Sequence, residues 1–104
     1  MHDEAVKLKN LYKIGYSQFE LESQVFIASN ATKVIFDGVD IKPYMGLQGY
    51  KLLFIYNSWC NSSNTVPIDT IIWSDNTVGL NLYNFSVNSS TIHSIRIEYI
   101  AQKL

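Results

Sequence analysis

The residues able to do acid–base or nucleophilic chemistry are few and scattered. The histidines are His2, near the start, and His93, between Ile92 and Ser94. Nucleophilic catalysis needs a nucleophile, a base and an orienting acid, and neither histidine has such company nearby in sequence. The single cysteine, Cys60, follows Trp59 in a polar stretch that holds no cation to favour a thiolate. It has no second cysteine to pair with, and no Cys/His cluster has the spacing of zinc ligands. Glu20 and Glu22 are the visible carboxylate pair. On a strand they share one face about 7 Å apart, a spacing compatible with glycosidic acid–base work and equally with a solvated edge. Asp37 and Asp40 suit a turn, and Asp69, Asp75 and Asn76 lack the alternating pattern of a calcium loop. Gly38, Gly46, Gly49 and Gly79 form no phosphate-binding loop. The expectation is a protein that is not an enzyme and uses neither cofactor nor metal.

Binding chemistry has a stronger signal. Tyr56, Asn57, Trp59, Asn61 and Asn64 fall in one segment, and Trp73, Asp75 and Asn76 in another. A flat aromatic face beside short amides and carboxylates suits a sugar. Ring C–H groups stack on the indole while Asn and Asp satisfy vicinal hydroxyls. Trp and Tyr at loop tips equally anchor protein interfaces, and a Trp at a strand end can turn into the core. The ligand-binding set read from sequence is Tyr56, Trp59, Asn61, Asn64, Trp73, Asp75 and Asn76.

The elements that would carry these residues are strands. Apolar residues recur with a period of two, and the helical period is hard to find. Residues 1–10 read as a leader or linker, and residues 11–104 as a single domain. Phe19 and Leu21 suggest one short strand, Val25 and Ile27 a second. Asp37-Gly38, between Val34, Phe36 and Val39, Ile41, has the composition of a hairpin turn. Pro43, Gly46 and Gly49 open a loop. Tyr50–Tyr56 is apolar on both faces, which suits a central strand or one pressed against another subunit. Val66–Trp73 is the next strand, with Pro67 near its start. Residues 74–77 form a turn by composition. Leu80 and Leu82 are out of parity with Phe85 and Val87, which predicts a bulge near Tyr83-Asn84. In the last strand Ile95, Ile97 and Tyr99 point inward, Arg96 and Glu98 outward, with Ile92 out of phase. The predicted fold is all-β, an antiparallel β-sandwich or jelly roll of about seven to nine short strands.

Composition removes several partners. The net charge is −1, and one arginine and seven lysines form no basic stripe, so nucleic acid is not an expected partner. The longest apolar run, Leu52–Tyr56, is far short of the ~20 residues needed to cross a bilayer, so no membrane insertion is expected. The start lacks the apolar stretch of a signal peptide. Asn30, Asn61, Asn84 and Asn88 head N-x-[ST] triplets; in a chain so rich in Asn and Ser these arise by chance, and they are read as unglycosylated. At 104 residues, 47% hydrophobic and 16% charged, the chain is apolar-rich for so small an interior, which suits either a well-filled core with some exposed apolar surface or strands that face a neighbouring subunit. A homo-oligomer, with a trimer preferred, is expected.

The polar-aromatic texture, and the end in which Ser94-Ile-Arg-Ile-Glu-Tyr-Ile100 leads almost directly to the terminus, resemble the C-terminal head domains of bacteriophage tail fibres and receptor-binding proteins. The likeness is one of overall character, strongest over Tyr50–Ile100, and no signature motif carries it. The resemblance implies a trimeric β-sandwich that binds a host cell-surface glycan or wall polymer, located at a virion tail tip or an extracellular surface. Two other readings stand beside it: a structural or assembly protein of a virion or surface layer, and an accessory carbohydrate-binding domain of a hydrolase.

Overall fold

Alternation of apolar and polar side chains builds six strands and one helical turn in a computed structural model that describes residues 11–104. They are β1 (Tyr12–Ile27), β2 (Thr32–Val39), α1 (Lys42–Met45), β3 (Tyr50–Cys60), β4 (Thr65–Ile72), β5 (Val78–Asn84) and β6 (Ser90–Lys103). The strands form two antiparallel three-stranded sheets, ordered β1-β6-β3 and β2-β5-β4. Only β4 and β5 are joined within one sheet, through the turn at residues 73–77; every other strand connection crosses from one sheet to the other. The chain is an all-β sandwich.

The two central strands carry the core. Val78, Leu80 and Leu82 of β5 face Ile95, Ile97, Tyr99 and Ala101 of β6, all buried. Each large aliphatic side chain so buried contributes about 1.5–3 kcal/mol. Ile92 is buried on the opposite parity from Ile95, as its phase in the sequence predicts. The change falls at His93-Ser94, where Asn61 Oδ1 accepts from both backbone N–H groups.

The edge strands take all the irregularity. β2, β3 and β4 shift register by single residues at Val34/Phe36, Asp37/Val39, Leu52/Phe54, Ile55/Asn57 and Pro67/Asp69. β1 makes a larger excursion: Glu20 lies opposite Ser94 and Val25 opposite Ile92, so β1 advances five residues against two, three more than its partner. Bulges twist an edge strand and spoil it as a template for further pairing. Pro67, beside one of them, sits where a missing N–H is least costly.

These shifts account for the differences from the sequence reading. Six strands form rather than seven to nine, because Phe19–Ile27 continues through its excursion as one strand. Asp37-Gly38 is not a hairpin turn. Gly38 (φ +69°) is the extra residue of a bulge within β2, where positive φ is tolerated without a Cβ. No bulge occurs at Tyr83-Asn84. β5 stays in register to its end, and Phe85 and Val87 fall outside it, exposed. Their parity therefore reports a turn. β3 is an edge strand, not a central one. The reading of residues 1–10 as a leader lies outside the described residues.

Candidate ligand-binding face

The seven residues picked from sequence do not form one site. Asn61 lies at the end of β3 with both halves of its amide engaged: Oδ1 accepts from His93 and Ser94 N–H at 2.9 and 3.1 Å, and Nδ2 donates to Thr91 C=O at 3.2 Å. Asn76 (φ +66°) reaches from the β4–β5 turn to β3, where it exchanges hydrogen bonds with both backbone groups of Leu52 and accepts from Lys42 Nζ. Asp75 accepts from the N–H and hydroxyl of Thr77, which hold its carboxyl below its ordinary pKa. Asn64 is exposed in the β3–β4 turn, and its carbonyl accepts from Phe85 N–H.

Trp73 is half-exposed yet not free. A Cβ added to Gly38 would meet its ring at 2.4 Å, and one on Gly79 would meet it at 3.2 Å. The indole thus lies across two adjacent strands where both lack side chains, on the outer face of the β2-β5-β4 sheet. Tyr56, half-exposed at a bulge of β3, faces a different place. It lines an open groove between β3 and β4 with Val66, Ile68 and Asp69.

Trp59 lies in different company. It is 45% exposed on the outer face of the other sheet. There the register sets Gln18, Arg96 and Trp59 in one row across β1, β6 and β3, and Tyr16, Glu98 and Asn57 in the next. Neighbouring strands lie about 4.8 Å apart and successive rows about 7 Å apart. The polar members hold one another in place. Arg96 Nη2 donates to Glu98 Oε1 at 3.2 Å, Asn57 Nδ2 donates to Glu98 Oε2 at 2.6 Å, and the guanidinium sits 4.0 Å from the centre of the Tyr16 ring. Arg96 Nε is buried with no hydrogen-bond partner among the described residues. Gln18, Asn57, Trp59, Arg96 and Glu98 together line a shallow cavity of about 280 Å³. The arrangement offers aromatic surfaces, amide donors and acceptors, a cation and an anion within a few ångströms. It contains no nucleophile–base pair.

Glu20 and Glu22, the other pair picked from sequence, have separate partners. Glu20 meets His93 Nδ1 at 3.0 Å in an exposed pair, and Glu22 accepts from the Tyr44 hydroxyl at 3.4 Å. Cys60 is buried, and burial raises its thiol pKa against the smaller, lowering effect of a backbone hydrogen bond from Ser62. Asn84, one of the N-x-[ST] asparagines, is fully buried. Its amide bonds to the carbonyls of Ile27, Ala28 and Asn88 and to Ser86 N–H.

Sequence reasoning missed Tyr16 and Gln18, and left Arg96 and Glu98 as merely outward. The period-two pattern of Tyr12, Ile14, Tyr16 and Gln18 was the available signal, but it cannot say which strands flank one another. Comparison with family models, with curated proteins and with solved structures finds no match to this chain.

Proposed function

We propose that this protein binds a carbohydrate without transforming it, as the receptor-binding head of a phage tail fibre or a related surface structure. The observation that carries this reading is the grid of Gln18, Arg96 and Trp59 beside Tyr16, Glu98 and Asn57 on one exposed sheet face. A sugar ring stacked on Trp59 would bring its hydroxyls to Asn57, Gln18, Arg96 and Glu98. Because Arg96 and Glu98 neutralise each other, the face suits neutral glycans or wall polymers over strongly charged ones. Such shallow sites commonly bind at about millimolar Kd, or ~4 kcal/mol. Repetition in a homotrimer at a tail tip or cell surface would raise the avidity on a dense target.

A second reading has its own observation. Ile14 and Phe54, 69% and 58% exposed, flank Ile100 in the next row of the same face, and Val34, Val66 and Ile71 are exposed on the other sheet. Apolar area of this kind suits contact between subunits, and a structural or assembly role would need nothing more.

The two separate in one experiment. The parent and the Trp59→Ala and Tyr16→Ala variants are screened on a glycan array and on purified wall polymers, with thermal melts as controls. The proposal expects parent binding that falls at least tenfold in both variants while the melts stay within a few degrees. A parent that binds no glycan, or variants that bind as the parent does, would leave the structural reading.

A further inference from the structure

We infer that the cavity opened by the β1 excursion is a separate binding slot for a small organic ammonium ion, a compact hydrocarbon ending in a protonated amine. The three extra residues of β1 lift the chain away from β6 between Glu20 and Val25. The gap behind them is a cavity of about 230 Å³ at the β1/β2 edge of the sandwich. Its walls are apolar and aromatic. Phe19 stacks on Phe36 at 6.1 Å and on Tyr44 at 5.7 Å, with Leu21, Val25, Ile35 and Val39 completing the lining.

The charged side chains that line the slot are of one sign. Glu20 and Glu22 line it together with Ser23, and no lysine or arginine does so among the described residues. Glu22 has the neutral Tyr44 hydroxyl as its partner, and Glu20 faces His93 from the β6 side. A hydrocarbon group entering such a space displaces water from the walls at about 25 cal/mol per Å² of apolar surface removed from water. The two carboxylates at its rim then attract a cation. An anion would meet repulsion, and a neutral hydrocarbon would leave the carboxylates unpaired. The slot lies at the β1/β2 edge and shares no lining residue with the Trp59 face.

Phenethylammonium is a fitting probe and 2-phenylethanol its neutral counterpart. Each is titrated into the full chain while the ring resonances of Phe19, Phe36 and Tyr44 are followed by NMR. The expected result is saturable shifts at those rings, with the ammonium bound about fivefold tighter than the alcohol, the upper scale of a solvent-exposed ion pair such as Glu20 and Glu22 can make. That preference should shrink in 0.5 M salt, where the Debye length is only about 4 Å. The double variant Glu20→Gln, Glu22→Gln should bind both ligands equally. Leu21→Trp, which fills the slot, should bind neither. No shift at these rings up to tens of millimolar ligand would overturn the inference, as would equal affinity for amine and alcohol in the parent. A preference surviving in the double Gln variant would do so too, and that arm decides even if Leu21→Trp fails to fold.

Discussion

Asn76 Oδ1 accepts the N–H of Leu52 at 3.1 Å while its Nδ2 donates to the C=O of Leu52 at 2.9 Å. One side chain on the β4–β5 turn thus acts as a short length of strand against the exposed edge of β3, and it ties one sheet to the other. The same oxygen accepts from Lys42 Nζ at 3.0 Å, so α1 joins the junction. Asn is suited to this post on two counts: it tolerates positive φ, and its amide matches a backbone pair.

Removing that amide should cost about 2–3 kcal/mol, from two lost hydrogen bonds to backbone groups left unpaired. Asn76→Gly isolates the side chain, since glycine keeps the positive φ at little strain. Asn76→Ala should be worse by about a further 1 kcal/mol. Chemical denaturation of the three proteins gives the order parent, Gly, Ala; equal stability of parent and Gly variant would refute the staple.

Trp73 makes a second junction testable. Gly38→Ala places a methyl 2.4 Å from the indole and a side chain at φ +69°, whereas Gly79→Ala makes only a tight 3.2 Å contact. The Gly38 variant should lose about 2–4 kcal/mol from positive-φ strain and overpacking together, and the Gly79 variant visibly less. Tryptophan fluorescence should shift in both, and in Gly38→Ala the more, as the ring is pushed off its two glycines.

Asn61 and Trp59, two positions apart, should part company. Asn61→Ala leaves the His93 and Ser94 N–H groups without their acceptor and should destabilise by about 2–3 kcal/mol. Trp59→Ala removes an exposed side chain from a sheet face and should stay within about 1 kcal/mol. Thermal melts on both variants check this directly, and a Trp59 variant that unfolds would make that indole structural.

Cys60 should be inert in the folded protein. Its sulfur contacts the carbonyls of Ser62 and Thr65, and burial holds the thiol above its ordinary pKa, while the nucleophile is the thiolate. A thiol reagent at pH 8 should label it only as fast as the chain opens, and immediately in denaturant. Because the folded state holds this proton the more tightly, the stability it contributes is fully present below the ordinary thiol pKa. It is lost as the pH rises through the raised one. Cys60→Ala should lack that alkaline decline, which denaturation curves from pH 8 to 10.5 would show.

Alternation along the chain determines much of this protein by itself. Ile95, Ile97 and Tyr99 against Arg96 and Glu98 define an inner and an outer face before any partner strand is known, because successive side chains on a strand point to opposite sides. The all-β class, the inward Leu80 and Leu82, the phase change at Ile92 and the turn at residues 74–77 follow from such local rules. What local rules cannot supply is pairing. Asp37-Gly38 has the letters of a hairpin turn, but its positive φ serves a bulge once β5 lies beside β2 and Trp73 covers the gap. Asn61 and Asn76 resemble surface amides until the folded chain brings backbone groups of β6 and β3 within their reach. Tyr16 and Trp59, far apart in sequence, become members of one face only because β6 pairs with β1 on one side and β3 on the other. Cross-strand register is a long-range property, set by how the apolar faces of the whole chain close over one core, and it decides which outward residues become neighbours.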